Sequence, residues 1–97
     1  MIQTFRNTGT EDIYDDINSG VARRCCPQAL WPIARRKLDQ INRVQEVSEL
    51  KAPPGNHVER LRGNRAGQYS IRINEQYRIC FVWEDGHAYE VEIVDYQ

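Results

Sequence analysis

The sequence predicts an α+β fold: one antiparallel sheet, an N-terminal strand joined to a C-terminal four-strand meander, with two N-terminal helices packed on one face. Three observations carry this. Apolar residues recur at helical spacing through the first half. After Ala52-Pro53-Pro54-Gly55-Asn56 the period changes to two. Turn signals then divide the second half into strand-length pieces. Ninety-seven residues suffice for one domain, residues 1–97, whose core is a sheet and one helical layer.

Ile2 to Phe5 reads as a short opening strand. Thr8 or Thr10 is expected to cap a helix over Glu11–Ile17, with acids in its first turn where the helix dipole favours them. Asn18-Ser19-Gly20 stops it. Pro27 opens the longest helix, running to about Gln45, although Pro32 allows a true start only there. Leu30, Trp31, Ile33, Ala34, Leu38, Ile41 and Val44 form its apolar stripe, while Arg35, Arg36, Lys37 and Arg43 mostly occupy the other face.

Val58 to Arg62 is the next strand. Tyr69, Ile71 and Ile73 then alternate with Ser70, Arg72 and Asn74, Asn74-Glu75 turns the chain, and Tyr77 to Trp83 returns. Asp85-Gly86 is a hairpin signal before a last strand over Ala88 to Val94. Trp31 and Phe81 have the spacing of core residues.

Composition narrows the function. Hydrophobic content of 40% and charged content of 28% are those of an ordinary globular protein. No apolar run approaches the roughly 18–20 residues of a membrane span, and MIQTFRNTGTEDIYDD contains no signal-peptide core, so a cytoplasmic location without membrane contact is expected. Cys25, Cys26 and Cys80 form no CxxC or Cys/His cluster and read as apolar filler; no metal or other cofactor is expected. The net charge of −1 hides an asymmetry: residues 1–19 carry −3, residues 84–97 carry −5, and residues 20–83 carry +7. A basic middle is the footprint of a nucleic-acid binder, and equally of a solvated helix face.

Three segments in order carry a resemblance: PPGNHVERLRG (53–63), GQYSIRINEQYRICF (67–81) and DGHAYEVEIVDY (85–96). They resemble the successive strands of HigB-type toxins in the RelE/ParE superfamily. There a Pro-Gly loop leads to a strand ending Leu-Lys-Gly, a Tyr/Trp-Ser-Ile hairpin and a Trp/Tyr-Arg-Ile-x-Phe strand follow, and the chain ends Asp-Tyr-His. The opening Ile-x-x-Phe also fits, and residues 9–50 match by pattern. The resemblance implies a small RelE-like fold. It also implies a toxin of a type II toxin–antitoxin system that cuts mRNA in the ribosomal decoding site, by metal-free attack of the ribose 2′-OH on its own 3′ phosphate. The implied partners are ribosome and mRNA, and a HigA-like helix-turn-helix antitoxin through which alone operator DNA would be bound.

That chemistry needs a base for the 2′-OH proton, cations for the charge gathering on phosphorus, and an acid for the departing 5′ oxygen. By resemblance Arg62 stands at the Lys of Leu-Lys-Gly, and Arg78 at the strand Arg expected to clamp the scissile phosphate; a salt bridge to Glu90 or Glu92 is the structural alternative for Arg78. Arg72 alternates away from Tyr69 and Ile71, toward the same groove or toward solvent. Arg60 and Arg65 are expected phosphate contacts, and Arg35, Arg36 and Lys37 contacts to ribosomal RNA. Asp95 and Tyr96 stand at the family's Asp-Tyr, with Tyr96 stacking on a base or orienting the 2′-OH, and Asp95 accepting a proton or fixing an Arg.

Two departures stand out. The histidine of the family's Leu-His-x-Leu-Lys-Gly is Glu59 here, and the final histidine is Gln97. His57, two residues before Glu59 and so on the same face of a strand, either replaces the lost imidazole or is a loop residue; otherwise Glu59 is the base. His87 in the hairpin is expected to face solvent. The missing imidazoles keep a second class open, a non-enzymatic ParE-like inhibitor or binding module of the same fold.

Overall fold

The computed structural model describes residues 1–96. Its helices are α1 (Thr8–Tyr14), α2 (Gly20–Cys25) and α3 (Trp31–Arg43); its strands are β1 (Glu59–Arg60), β2 (Gln68–Arg72), β3 (Tyr77–Glu84) and β4 (His87–Asp95). The strands form one antiparallel sheet in the order β1-β2-β3-β4. The α+β class and the meander are as expected; the helical layer holds three α-helices rather than two.

Asn7, not Thr8 or Thr10, caps α1: its side-chain oxygen accepts from the Thr10 amide at 2.8 Å. Thr10 is spent elsewhere. Fully buried, it accepts from the Ile93 amide at 3.0 Å and so ties α1 to β4. The helix ends at Tyr14, short of Ile17, and Asp16 turns the chain with φ +61°. Asn18-Ser19-Gly20, read as a stop, is also a start. Ser19 caps α2 by accepting from the Ala22 amide and donating to Asp12. Gly9 lets the two helices touch, since a Cβ there would lie 2.9 Å from Cys25 Cβ and from the Val21 carbonyl.

The long helix does not begin at Pro27. Residues Gln28–Leu30 make a 3₁₀ turn, and α3 proper starts at Trp31 with Pro32 in its first turn, where a missing N–H costs nothing. Trp31, Ala34, Leu38 and Ile41 are its buried stripe. They pack with Ile13, Ala22, Leu50, Ile71, Ile79, Phe81, Val91 and Ile93 into the main core. Cys26 and Cys80 are buried and Cys25 half-buried, all as free thiols.

Register explains the sheet's two faces. Glu59 lies opposite Ser70, Ser70 opposite Cys80, and Cys80 opposite Glu92, so these four form one row across all strands. Arg72, Arg78 and Val94 form the next row on the same face, away from the helices. The strand expected over Val58–Arg62 is only two residues long because the chain turns at Gly63–Arg65, although the Leu61 amide still donates to Gln68. The N-terminal strand is reduced to two parallel bridges on β4, Ile2 to Ala88 and Phe5 to Val91. The β3–β4 turn has positive φ at Asp85 (+52°) and Gly86 (+80°), the primed-turn geometry an Asp-Gly hairpin favours.

Candidate active site

On the open face, beyond the ends of β1 and β2, lies a cleft of about 370 Å³ lined by His57, Glu59, Arg72, Asn74, Glu75, Arg78 and Tyr96. The sheet positions its cations: Arg72 and Arg78 are directly opposed on β2 and β3, so both guanidinium stems leave the same face. Arg78 Nε donates to Ser70 Oγ at 2.8 Å and Nη2 donates to the His57 carbonyl. The Tyr96 ring lies 5.9 Å from the Arg78 guanidinium carbon, within cation–π range. Arg72 donates from Nε to the Asn74 carbonyl and stands 3.9 Å from Glu75. The turn is set by the Asn74 side chain, which accepts from the Gln76 and Tyr77 amides at 2.9 and 2.7 Å.

Two guanidiniums, two carboxylates, an imidazole and a phenol therefore face one open cleft. It can hold an anion against Arg78 and Arg72, stack a planar group on Tyr96, and move protons through Glu59 or His57. Among the described residues, no three His, Cys, Asp or Glu side chains are grouped to hold a metal ion.

Of the residues singled out from sequence, His57, Glu59, Arg72, Arg78 and Tyr96 meet here. His57 arrives by an unexpected route. It is not on a strand with Glu59; it follows the Pro54–Asn56 turn in a left-handed conformation, φ +43°. Arg78 makes no salt bridge to Glu90 or Glu92. Glu92 belongs instead to Arg65, whose Nη1 reaches across β2 and β3 to its Oε1 at 2.8 Å, and that hydrogen bond pushes the Arg65 pKa up. Arg65 thus anchors the 61–67 segment over the buried Ser70 and Cys80. Asp95 lies outside the cleft lining, accepting from Gln76 Nε2. Arg62 is exposed on the loop after β1, also outside the lining, and Arg60 is paired with Tyr69, on the side of β1 away from Glu59.

The helix cations divide too. Arg35 donates to the Ile13 carbonyl and pairs with Asp16 at 3.1 Å, which ties α3 to the end of α1. Arg36 and Lys37, with Gln40, Arg43, Pro53 and Asn56, line a second cleft of about 350 Å³. There burial, then the nearby Arg36 charge, push the Lys37 ammonium pKa down. His87 sits in the hairpin with Nδ1 3.1 Å from Gln3 Nε2, remote in sequence and contacts from the cleft. Sequence reasoning took Asn74 and Glu75 for a turn alone and passed over Ser70; its alternation with Tyr69 and Ile71 was the one available signal.

Residues 3–97 match a family described as the RelE-like toxin HigB of type II toxin–antitoxin systems. The chain belongs to the HigB-like toxin family. Toxin HigB-1 of Vibrio cholerae is 39% identical over 88 residues, which cover 91% of this chain and 90% of the relative. An uncharacterised protein of Haemophilus influenzae is 36% identical over 75 residues, 77% of this chain and 69% of that one. The fold also resembles that of a YoeB–YefM complex from Staphylococcus aureus, with a TM-score of 0.59 and 18% identity over 100% of this chain and 98% of that chain. A YoeB dimer from the same organism has the same score over 99% and 97%. This HigB-type toxin therefore has the RelE-like fold, with Glu59 in the lining of its cleft. Gln97, where the resemblance leads one to expect a final histidine, lies outside the described residues.

Proposed function

We propose that this HigB-type toxin is a ribosome-dependent mRNA endonuclease that stops translation by cutting in the decoding site without a metal or other cofactor. The observation that supports this best is the opposed Arg72–Arg78 pair in one cleft with Tyr96, Glu59 and His57. In the reaction the ribose 2′ oxygen attacks the adjacent phosphorus, the bond from phosphorus to the 5′ oxygen breaks, and a 2′,3′-cyclic phosphate and a 5′-hydroxyl result. Glu59 takes the 2′-OH proton, or His57 does in its place. The conjugate acid of the pair returns a proton to the 5′ oxygen. Arg78 and Arg72 stabilise the charge that builds on the phosphoryl oxygens, and Tyr96 stacks on the base beside the cut. Asp95 holds the Tyr96 segment to the β2–β3 turn through Gln76.

Arg62 contacts the mRNA backbone where it enters past β1. The cleft of Arg36, Lys37 and Arg43 grips ribosomal RNA, with Arg60 adding a further phosphate contact and Arg35 and Arg65 serving the fold. Neutralising phosphates in this way makes the affinity salt-dependent. The partner that silences the toxin is a HigA-like helix-turn-helix antitoxin, through which the pair binds operator DNA. Cytoplasmic residence follows from that target. Primer extension on mRNA from cells expressing the chain tests the reading: discrete ends at codons support it. Glu59 in place of the family's imidazole favours a second reading, a non-enzymatic ParE-like inhibitor, and growth arrest with no new mRNA ends selects it.

A further inference from the structure

Arg78 is gripped from behind. A guanidinium has five N–H groups: a side fork made by Nε and one Nη2 hydrogen, and an end fork made by Nη1 and the other Nη2 hydrogen. In this fold the side fork is already used, Nε on Ser70 Oγ at 2.8 Å and Nη2 on the His57 carbonyl. Both acceptors are themselves fixed. Ser70 is fully buried in the centre of the β1–β2–β3 row. His57 ends a turn anchored by the buried Asn56, which donates to the Leu50 and Ala52 carbonyls. The Tyr96 ring closes on the same guanidinium. Among the described residues no partner takes the end fork, the arrangement that matches two oxygens of a phosphate.

We infer that Ser70 is a positioning residue for cleavage: its hydroxyl fixes the rotation of the Arg78 guanidinium so that the end fork meets the scissile phosphate as charge develops. The inference rests on the nuclease reading and adds to it a residue that never touches RNA. Preorganised donors stabilise a transition state because they need no reorientation when charge appears, and small misplacements of such groups lower rates steeply.

The test joins NMR to single-turnover cleavage of ribosome-bound mRNA. In the wild-type protein the Arg78 Nε–H signal, identified by its loss in Arg78→Lys, exchanges with water far more slowly than that of exposed Arg36. Ser70→Ala speeds this exchange and lowers the saturated cleavage rate at least about tenfold, with the half-saturating ribosome concentration unchanged. Ser70→Thr, which keeps the hydroxyl, restores slow exchange and rate together. Wild-type exchange at Arg78 as fast as at Arg36 overturns the inference whatever the variants do. So does a folded Ser70→Ala that cuts at the wild-type rate. Wild-type protein that leaves ribosome-bound mRNA intact overturns the nuclease reading instead, while the exchange measurement still judges the grip on Arg78.

Discussion

Asn56→Ala puts a number on the turn that delivers His57. The Asn56 side chain is fully buried and its partners are explicit: Oδ1 accepts from Lys37 Nζ, and Nδ2 donates to Gln40 Oε1 at 2.9 Å, Leu50 O at 3.1 Å and Ala52 O at 3.3 Å. Two amide hydrogens serve those three acceptors, so they count as two neutral bonds of about 1 kcal/mol each. Ala52 O keeps a donor in Gln40 Nε2 at 2.6 Å, whereas Leu50 O loses its side-chain partner. The Lys37 bond involves a charge, but Lys37 is only partly buried and can regain water, so about 1 kcal/mol is assigned to it. The expected loss is about 3 kcal/mol, a fall in Tm of roughly 12–24 °C for a chain of this size. Asn56→Asp keeps an acceptor for Lys37 but loses both donor hydrogens and sets a carboxylate against the three oxygens they served, so it recovers little. Urea and thermal unfolding followed by circular dichroism measure both. A loss below about 1 kcal/mol for Asn56→Ala would refute the reasoning, since the turn would then be held by its backbone alone.

Other consequences can be checked separately. Arg78→Ala lowers ribosome-dependent cleavage by roughly 10²-fold, and its circular dichroism spectrum stays that of the wild type; an unfolded variant points to a structural Arg78. Glu59→His, which restores the family's imidazole, raises cleavage near neutral pH, and an unchanged rate–pH profile argues against proton transfer at this position. Arg36→Glu with Arg43→Glu weakens ribosome binding and flattens its salt dependence by about two phosphate contacts, whereas Arg35→Glu, set against Asp16, lowers Tm instead; equal salt slopes for the double variant and wild type remove the RNA role. Burial, then the adjacent Cys25, push the Cys26 thiol from 9.0 up to about 12. Folding thus favours the neutral thiol, a contribution whole below pH ~9 and lost as pH rises toward ~12. Cys26→Ala flattens that alkaline fall in unfolding free energy, and an identical fall in both proteins excludes Cys26 as its source.

Local chemistry explains which parts were legible. The β2–β3–β4 meander was readable because period-two alternation, the Asn74 turn and Asp85-Gly86 each act within a few residues. The same alternation set Arg72 away from Tyr69 and Ile71 but left open whether it met Arg78 in the groove or faced solvent, which the β2–β3 register decides. Helix α2 escaped notice because six residues contain only Ala22 as a buried position, too short for a period to show. The N-terminal strand was overread, since two bridges depend on β4 rather than on any propensity of residues 2–5. Arg65 and Arg35 looked like RNA contacts because their acids are remote in sequence: Glu92 is 27 positions away, and Asp16 lies in the turn after α1. Charge counting sees the cations but not which ones the fold has already neutralised. His57 was assigned to the cleft for a strand periodicity it does not have, since a left-handed residue after a 3₁₀ turn brings it there.

The two parallel bridges on β4 bear on self-association. β4 is the longest strand and carries Ala88, Val91 and Ile93, the composition that makes a bare sheet edge adhesive. Residues 1–6 lie along that edge: the amides of Ala88 and Val91 donate to Met1 O and Thr4 O, the Glu90 amide donates to Thr4 Oγ1, and Asn42 of α3 accepts from the Ile2 amide. The segment is thus a guard strand, latched to helix and sheet at once, that occupies hydrogen-bonding positions another chain would otherwise use. The opposite edge needs no such guard, because β1 presents only two residues there and both, Glu59 and Arg60, are charged and exposed. The sheet thereby stays open on the face that carries the cleft while both of its edges resist strand addition.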